Sequence, residues 1–198
     1  MKSLLISLVL GAASFASAAT ISVTNFEAPS TFHAILGAGG LAPTSGIVTL
    51  GTYTSEPSSA ESVLNGYTSL GSLAFGATPG FISGDINVDL PLGSPAVGQQ
   101  VYVVIGNGTT LQNSTQFLVW KPTSNPAGNT FTADNPVGGP DLLGLFGDKG
   151  TTIVGEFGIV ADAGVGSQGN FRLAQVVPEP SAMLLGAFGA LGLLRRRR

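Results

Sequence analysis

ISGDINVDL, residues 82–90, decides the fold. Ile86, Val88 and Leu90 alternate with Asp85, Asn87 and Asp89, and successive side chains of an extended strand point to opposite faces, so one face of this run is apolar and the other wet. The run predicts a half-buried strand. In the stretch that follows, Val101, Val103 and Ile105 fall opposite Tyr102 and Val104, Gly106-Asn107-Gly108 suits a tight connection, and Phe117-Leu118-Val119-Trp120 makes a returning strand.

Working outward, further β-rich runs occupy 20–26, 46–54, 151–160 and 170–177, and with 82–90, 100–105 and 115–121 they are separated by clusters of Gly, Pro, Asn and Ser. That spacing predicts an all-β fold, an antiparallel β-sandwich or jelly-roll-like domain. One short helix is expected. Ser58 as N-cap with Glu61 three residues later makes a capping box, and Val63, Leu64, Tyr67 and Leu70 fall on one helical stripe. A second helical turn is expected at 141–146, introduced by Gly139-Pro140. No repeat of fixed period points to a solenoid.

The chain has 198 residues, of which 159, residues 19–177, form the candidate folded passenger. That length suits one core. The passenger holds Lys121, Lys149 and Arg172 against ten Asp or Glu, too few scattered cations to track a phosphate backbone, so nucleic-acid binding is not expected. With no Cys and a single His, the sequence excludes disulfides, thiolate zinc sites, iron–sulfur clusters and a Cys nucleophile. No cofactor is expected.

Both ends read as handling signals. Met1-Lys2-Ser3, the apolar run 4–10 and the small-residue motif Ala16-Ser17-Ala18 have the order of a secretory signal peptide, 1–18, with cleavage by signal peptidase expected after Ala18, the bond after Ala19 being a close competitor, once the general secretion machinery is engaged. At the other end, Pro178-Glu179-Pro180 precedes an apolar Gly/Ala/Leu run and then Arg195, Arg196, Arg197 and Arg198. Two prolines around one residue keep the backbone extended, the form that protease-like clefts accept. Residues 181–194, as a helix rising ~1.5 Å per residue, would span roughly 21 Å against a ~30 Å hydrocarbon core, a marginal single transmembrane helix. The arginines would hold its end in the cytoplasm as a stop-transfer signal, leaving the passenger outside.

These three parts, 178–198 together, resemble the PEP-CTERM sorting tail of Gram-negative bacteria. The resemblance implies recognition of Pro178, Glu179 and Pro180 by exosortase, a membrane-embedded transpeptidase-like enzyme. It further implies transient inner-membrane anchoring, then display or release at the cell surface, often in species that make exopolysaccharide. The segment 81–120 also resembles passengers of verrucomicrobial and planctomycetal PEP-CTERM proteins, which bring no activity to carry over.

Candidate chemistry within the passenger is sparse. Asp85, Asn87 and Asp89 share one strand face and offer hard oxygen donors to a cation such as calcium, but Leu90 and Ala96 stand where a calcium loop needs Gly and Glu, so a solvated strand face is the expectation. Residues 164–169 match GxGxxG, followed by a β-like run where a nucleotide fold needs a helix, and read as a turn. His33 reads as a structural histidine, with no Gly-x-Ser-x-Gly elbow in the chain to supply a partner nucleophile. Two function classes follow. The first is a non-enzymatic surface or matrix protein associated with polysaccharide, for which exposed aromatics such as Tyr102, Trp120 or Phe131 would speak. The alternative is a secreted glycan hydrolase using two carboxylates, one of raised pKa.

Overall fold

The computed structural model describes residues 18–27, 31–90, 93–124, 129–131, 142–145, 149–159 and 169–177. Strands in chain order are β1 (Ala18–Thr24), β2 (Phe26–Glu27), β3 (Thr31–Phe32), β4 (Ile35–Leu36), β5 (Ile47–Tyr53), β6 (Tyr67–Ala74) and β7 (Ser83–Asp89). They continue with β8 (Tyr102–Gly106), β9 (Gln116–Pro122), β10 (Leu142–Gly144), β11 (Gly150–Val154), β12 (Glu156–Ile159), β13 (Asn170–Arg172) and β14 (Ala174–Gln175). The fold is mostly β, as the alternation of the sequence requires.

Two sheets enclose the main core. In the first, β1 runs between β7, antiparallel to it, and β10, parallel to it; the second has the order β11-β9-β8-β5-β6, with β14 also pairing β9. From the first sheet Ile21, Val23, Ile86 and Val88 point inward, and they meet Val48, Leu50, Val103, Ile105, Leu118 and Trp120 of the second, each at most 3 % exposed. Each such burial stabilises by about 1.5–3 kcal/mol relative to exposure. The smaller sheets are β12-β13-β4 and β2-β3. Most pairings are antiparallel, as expected, but β1 with β10 and β13 with β4 are parallel.

The second sheet is covered on its far face as well. Tyr102, Val104, Phe117 and Val119 alternate with the residues of the main core and pack against Ala60, Val63, Leu111 and Val154 in a second apolar cluster. All five residues of β8 are therefore buried. Alternation along 101–105 separates two dry faces, not a dry one from a wet one.

Both helical expectations are corrected. Residues 58–70 hold a single 3-10 turn, Ala60–Ser62, with Ser59 as its N-cap and Ser62 Oγ accepting from the Ser59 N–H at 3.1 Å. Gly66, at φ +68°, then turns the chain into β6, where Tyr67 stands opposite Tyr53 of β5. Tyr67-Thr68-Ser69 and Gly71-Ser72 form helix poorly, and the hairpin with β5 overrides the stripe. At 141–146 the described part is strand β10, recruited by its parallel pairing with Ser22, Val23 and Thr24.

Three runs expected as single strands are each broken in two, the first, 20–26, at Asn25 between β1 and β2. Gly155, at φ +91°, separates β11 from β12, and a Cβ there would meet the Arg172 carbonyl at 2.5 Å. Leu173, buried, donates its N–H to the Leu36 carbonyl at 2.8 Å, and the chain passes from β13 in one sheet to β14 in another. Among the described residues no helix is long and apolar enough to cross a membrane. The expected signal peptide up to residue 17, the motif Pro178-Glu179-Pro180, the apolar run and Arg195 to Arg198 lie outside the described residues; Ala18, at the expected cleavage position, opens β1.

Candidate functional site

The polar face of β7 is built by its pairing with β1. The register sets Asn87 opposite Thr20 and Asp85 opposite Ser22. Thr20 Oγ1 donates to Asn87 Oδ1 at 3.0 Å and Ser22 Oγ donates to Asp85 Oδ1. Of the groups nominated for a cation, Asp85 and Asn87 thus each already accept a hydrogen bond along an exposed hydroxyl–amide–carboxylate ladder. Asp89 ends the strand opposite Ala18. Among the described residues no three His, Cys, Asp or Glu side chains gather where one ion could be held.

A second polar group was not visible in the sequence. Glu56, in the loop after β5, accepts from Tyr102 Oη at 2.9 Å and from Lys121 Nζ at 2.6 Å on the same Oε2 atom. It borders an open depression of about 230 Å³ lined by Ser55, Glu56, Pro57, Ser58, Ser62 and Asn65. The Lys121 hydrogen bond holds the Glu56 carboxyl below the usual carboxylate range. Burial, followed by the Glu56 carboxylate, pushes the Tyr102 phenol up to about 12.

Behind Glu56 the three tyrosines of the chain meet. The ring of Tyr53 lies 4.8 Å from that of Tyr67 and 4.9 Å, edge-on, from that of Tyr102. Tyr53 donates to the Val63 carbonyl, and Tyr67 Oη lies 2.8 Å from Thr49 Oγ1. Burial foremost raises the pKa of both, favouring the neutral phenols that pack and hydrogen-bond here.

His33 is buried, with Nδ1 2.8 Å from the Gly169 carbonyl and its ring 5.9 Å from that of Phe157. Gly169 closes the GxGxxG stretch and leads into β13, a strand where a nucleotide fold needs a helix; 164–168 lie outside the described residues. The aromatic residues nominated as an exposed platform are not exposed: Tyr102 is 8 % accessible, Trp120 and Phe131 each 1 %. Tyr102 and Trp120 lie on opposite faces of the second sheet, both covered, and Phe131, outside the named strands, fills the main core. Among the described residues Trp120 Nε1 has no hydrogen-bond partner.

The carboxyl edge of the domain is defined by β14. Ala174 and Gln175 pair with Phe117 and Gln116 of β9, and the Val176 N–H donates to the Thr115 carbonyl at 2.8 Å. Val177, the last described residue, donates its N–H to Glu61 Oε1 at 2.9 Å. Glu61 was nominated from sequence as a helix cap and serves instead as the clamp on this exit. Its carboxyl is held low by its own backbone N–H, then by Val177 and Ser59.

Compared with family models, residues 176–198 match the PEP-CTERM protein-sorting motif. Motifs of this kind are recognised by exosortase-type processing enzymes and imply export and sorting to the cell surface. No curated protein and no solved structure matches the chain. The likeness of 81–120 to verrucomicrobial and planctomycetal passengers therefore has no support.

Proposed function

We propose that this protein, which carries a PEP-CTERM sorting motif, is a non-enzymatic surface or matrix protein whose β-rich passenger is delivered by that motif and associates with exopolysaccharide outside the cell. The observation that carries the sorting part is the match at 176–198. In this reading the signal peptide starts translocation, the apolar run 182–194 halts in the inner membrane, and Arg195 to Arg198 keep its end in the cytoplasm. Pro178-Glu179-Pro180 is then presented at the outer interface, where the processing enzyme cleaves close to Glu179 and frees the passenger from its anchor.

Electrostatics speak against Glu56 and Glu61 as the acid of the hydrolase alternative. A glycosidic general acid needs a raised pKa, whereas burial is outweighed at Glu56 by its partners, and Glu56 and Glu61 are both held low. Mass spectrometry of the protein recovered from outside the cell tests the proposal. Wild type is expected to begin near Ala19 and to lack residues after the motif. Glu179→Ala is expected to be exported but to accumulate with its tail in the inner membrane. Recovery of Glu179→Ala outside with the wild-type carboxyl terminus would sink the sorting mechanism.

A further inference from the structure

The sorting motif follows the folded domain with no linker. Val176 packs against the second apolar cluster and has its N–H on Thr115, Val177 has its N–H on Glu61, and the next residue is Pro178. Covalent geometry keeps the Glu179 Cα within ~7 Å of that of Val177, whatever the conformation between them. An enzyme that reads a peptide in extended form takes several consecutive residues and bonds their backbone groups. Here the backbone donors immediately before the motif are committed to the substrate's own fold.

We propose that residues 174–177 act as a latch: the segment lies along β9 and Glu61 in the folded domain and is peeled away when the membrane enzyme engages Pro178-Glu179-Pro180. The inference rests on the processing reading above and adds the form in which the substrate is taken. The latch is suited to release. β14 is two residues long, Gln175 and Val177 are exposed, and the Glu61 contact lies at the surface. Leu173, fully inside and bonded to Leu36, marks where peeling stops, so the core stays closed while four residues become available.

A cross-strand disulfide tests this in the full chain, which has no cysteine of its own. Gln175 stands directly opposite Gln116. Because the next pair, Val176 and Thr115, is the hydrogen-bonded one, 175 and 116 form the non-hydrogen-bonded kind, with Cα atoms about 4.5 Å apart and within disulfide reach. Gln116 also accepts the Ala38 N–H through Oε1, so each single substitution is needed as a control.

In cells that process the wild-type tail, Gln116→Cys with Gln175→Cys is expected to accumulate several-fold more tail-bearing protein at the membrane. A reductant should restore processing, and either single variant should process like wild type. The latch is overturned if the double variant, with its disulfide verified by mass, is processed at the wild-type rate. It is equally overturned if Gln116→Cys alone slows processing as much. Glu179→Ala in the same cells separates the two levels: normal processing of that variant removes the sorting reading and the latch with it, whereas blocked processing beside an unaffected disulfide variant removes the latch alone.

Discussion

Asn25 ends β1 by substituting its side chain for the ladder. Its Nδ2 donates to the carbonyls of His33 and Gly80 at 2.9 and 2.8 Å, and its Oδ1 accepts the Ile82 N–H at 2.9 Å, all in a site with no solvent access. Asn25→Ala leaves the buried Ile82 N–H without its acceptor and removes one of the two donors on the Gly80 carbonyl, which keeps the Ile35 N–H, so a loss of about 1–3 kcal/mol is expected in urea unfolding. Asn25→Asp should fare little better, because a carboxylate cannot donate to two carbonyls. An unchanged midpoint for Asn25→Ala would refute the bridging role. From sequence Asn25 reads as one more position of the strand run 20–26, and nothing local tells a strand position from a buried bracket. Asp85 and Asn87, by contrast, were legible as an outward face, since period-two alternation fixes direction without knowledge of the partner strand. The meeting of Tyr53, Tyr67 and Tyr102 with Glu56 and Lys121 left no signal, because the register of β5, β6, β8 and β9 makes it, not spacing along the chain.

At the scale of elements, the strands of the sheet interior were readable to within a residue or two and the peripheral pieces were not. Runs such as 46–54 and 82–90 carry their own alternation, and they became Ile47–Tyr53 and Ser83–Asp89. The start of β6 was read as helix because Val63, Leu64, Tyr67 and Leu70 fit a 3.6-residue stripe; on the strand beside β5, Tyr67 and Leu70 instead pack against the two different apolar clusters. Its register carries a bulge between Leu50 and Gly51, so Leu50 pairs Gly71 and Gly51 pairs Ser69. At Gly71 the hairpin presses against the other sheet: a Cβ there would lie 2.5 Å from Ile86 Cγ2 and 2.6 Å from the Asn87 carbonyl of β7. The Asn87 oxygen belongs to a paired strand and cannot move aside as a flexible side chain would. Gly71→Val is therefore expected to destabilise by about 1–3 kcal/mol through overpacking, despite the higher β-propensity of Val. Gly39→Ala, at a site where the new methyl meets nothing within 4 Å, should leave the melting temperature close to wild type. Equal melting of the two variants would show that the sheets do not meet as tightly as described.

For the whole molecule, the placement of its ends matters most. β1, the first described strand, occupies the middle of its sheet, and removing it would strip partners from β7 and β10 at once. The partners are distant in sequence: Ser22 pairs with Asp85 on one side and Leu142 on the other. An emerging chain must therefore hold β1 unpaired until β7 has followed it, and with one edge open until residues near 144 arrive. β14 closes against β9 only when the residues just before Pro178 arrive, so completion of the fold and arrival of the sorting motif coincide in an amino-to-carboxyl export. Cleavage after Ala18 keeps six of the seven residues of β1, including Ile21 and Val23, which are 3 % and 0 % exposed. Loss of those two side chains from the core costs about 3–6 kcal/mol, and the loss of a whole ladder adds to that, against a typical domain stability of about 5–15 kcal/mol. The protein starting at Ala19 and ending at Val177 is thus expected to unfold in one cooperative transition with strand-dominated circular dichroism. The same protein starting at Asn25 should lack that transition. A cooperative melt of the shorter protein near the temperature of the longer one would show that β1 is an accessory strand and that the amino-terminal cleavage position is free to vary.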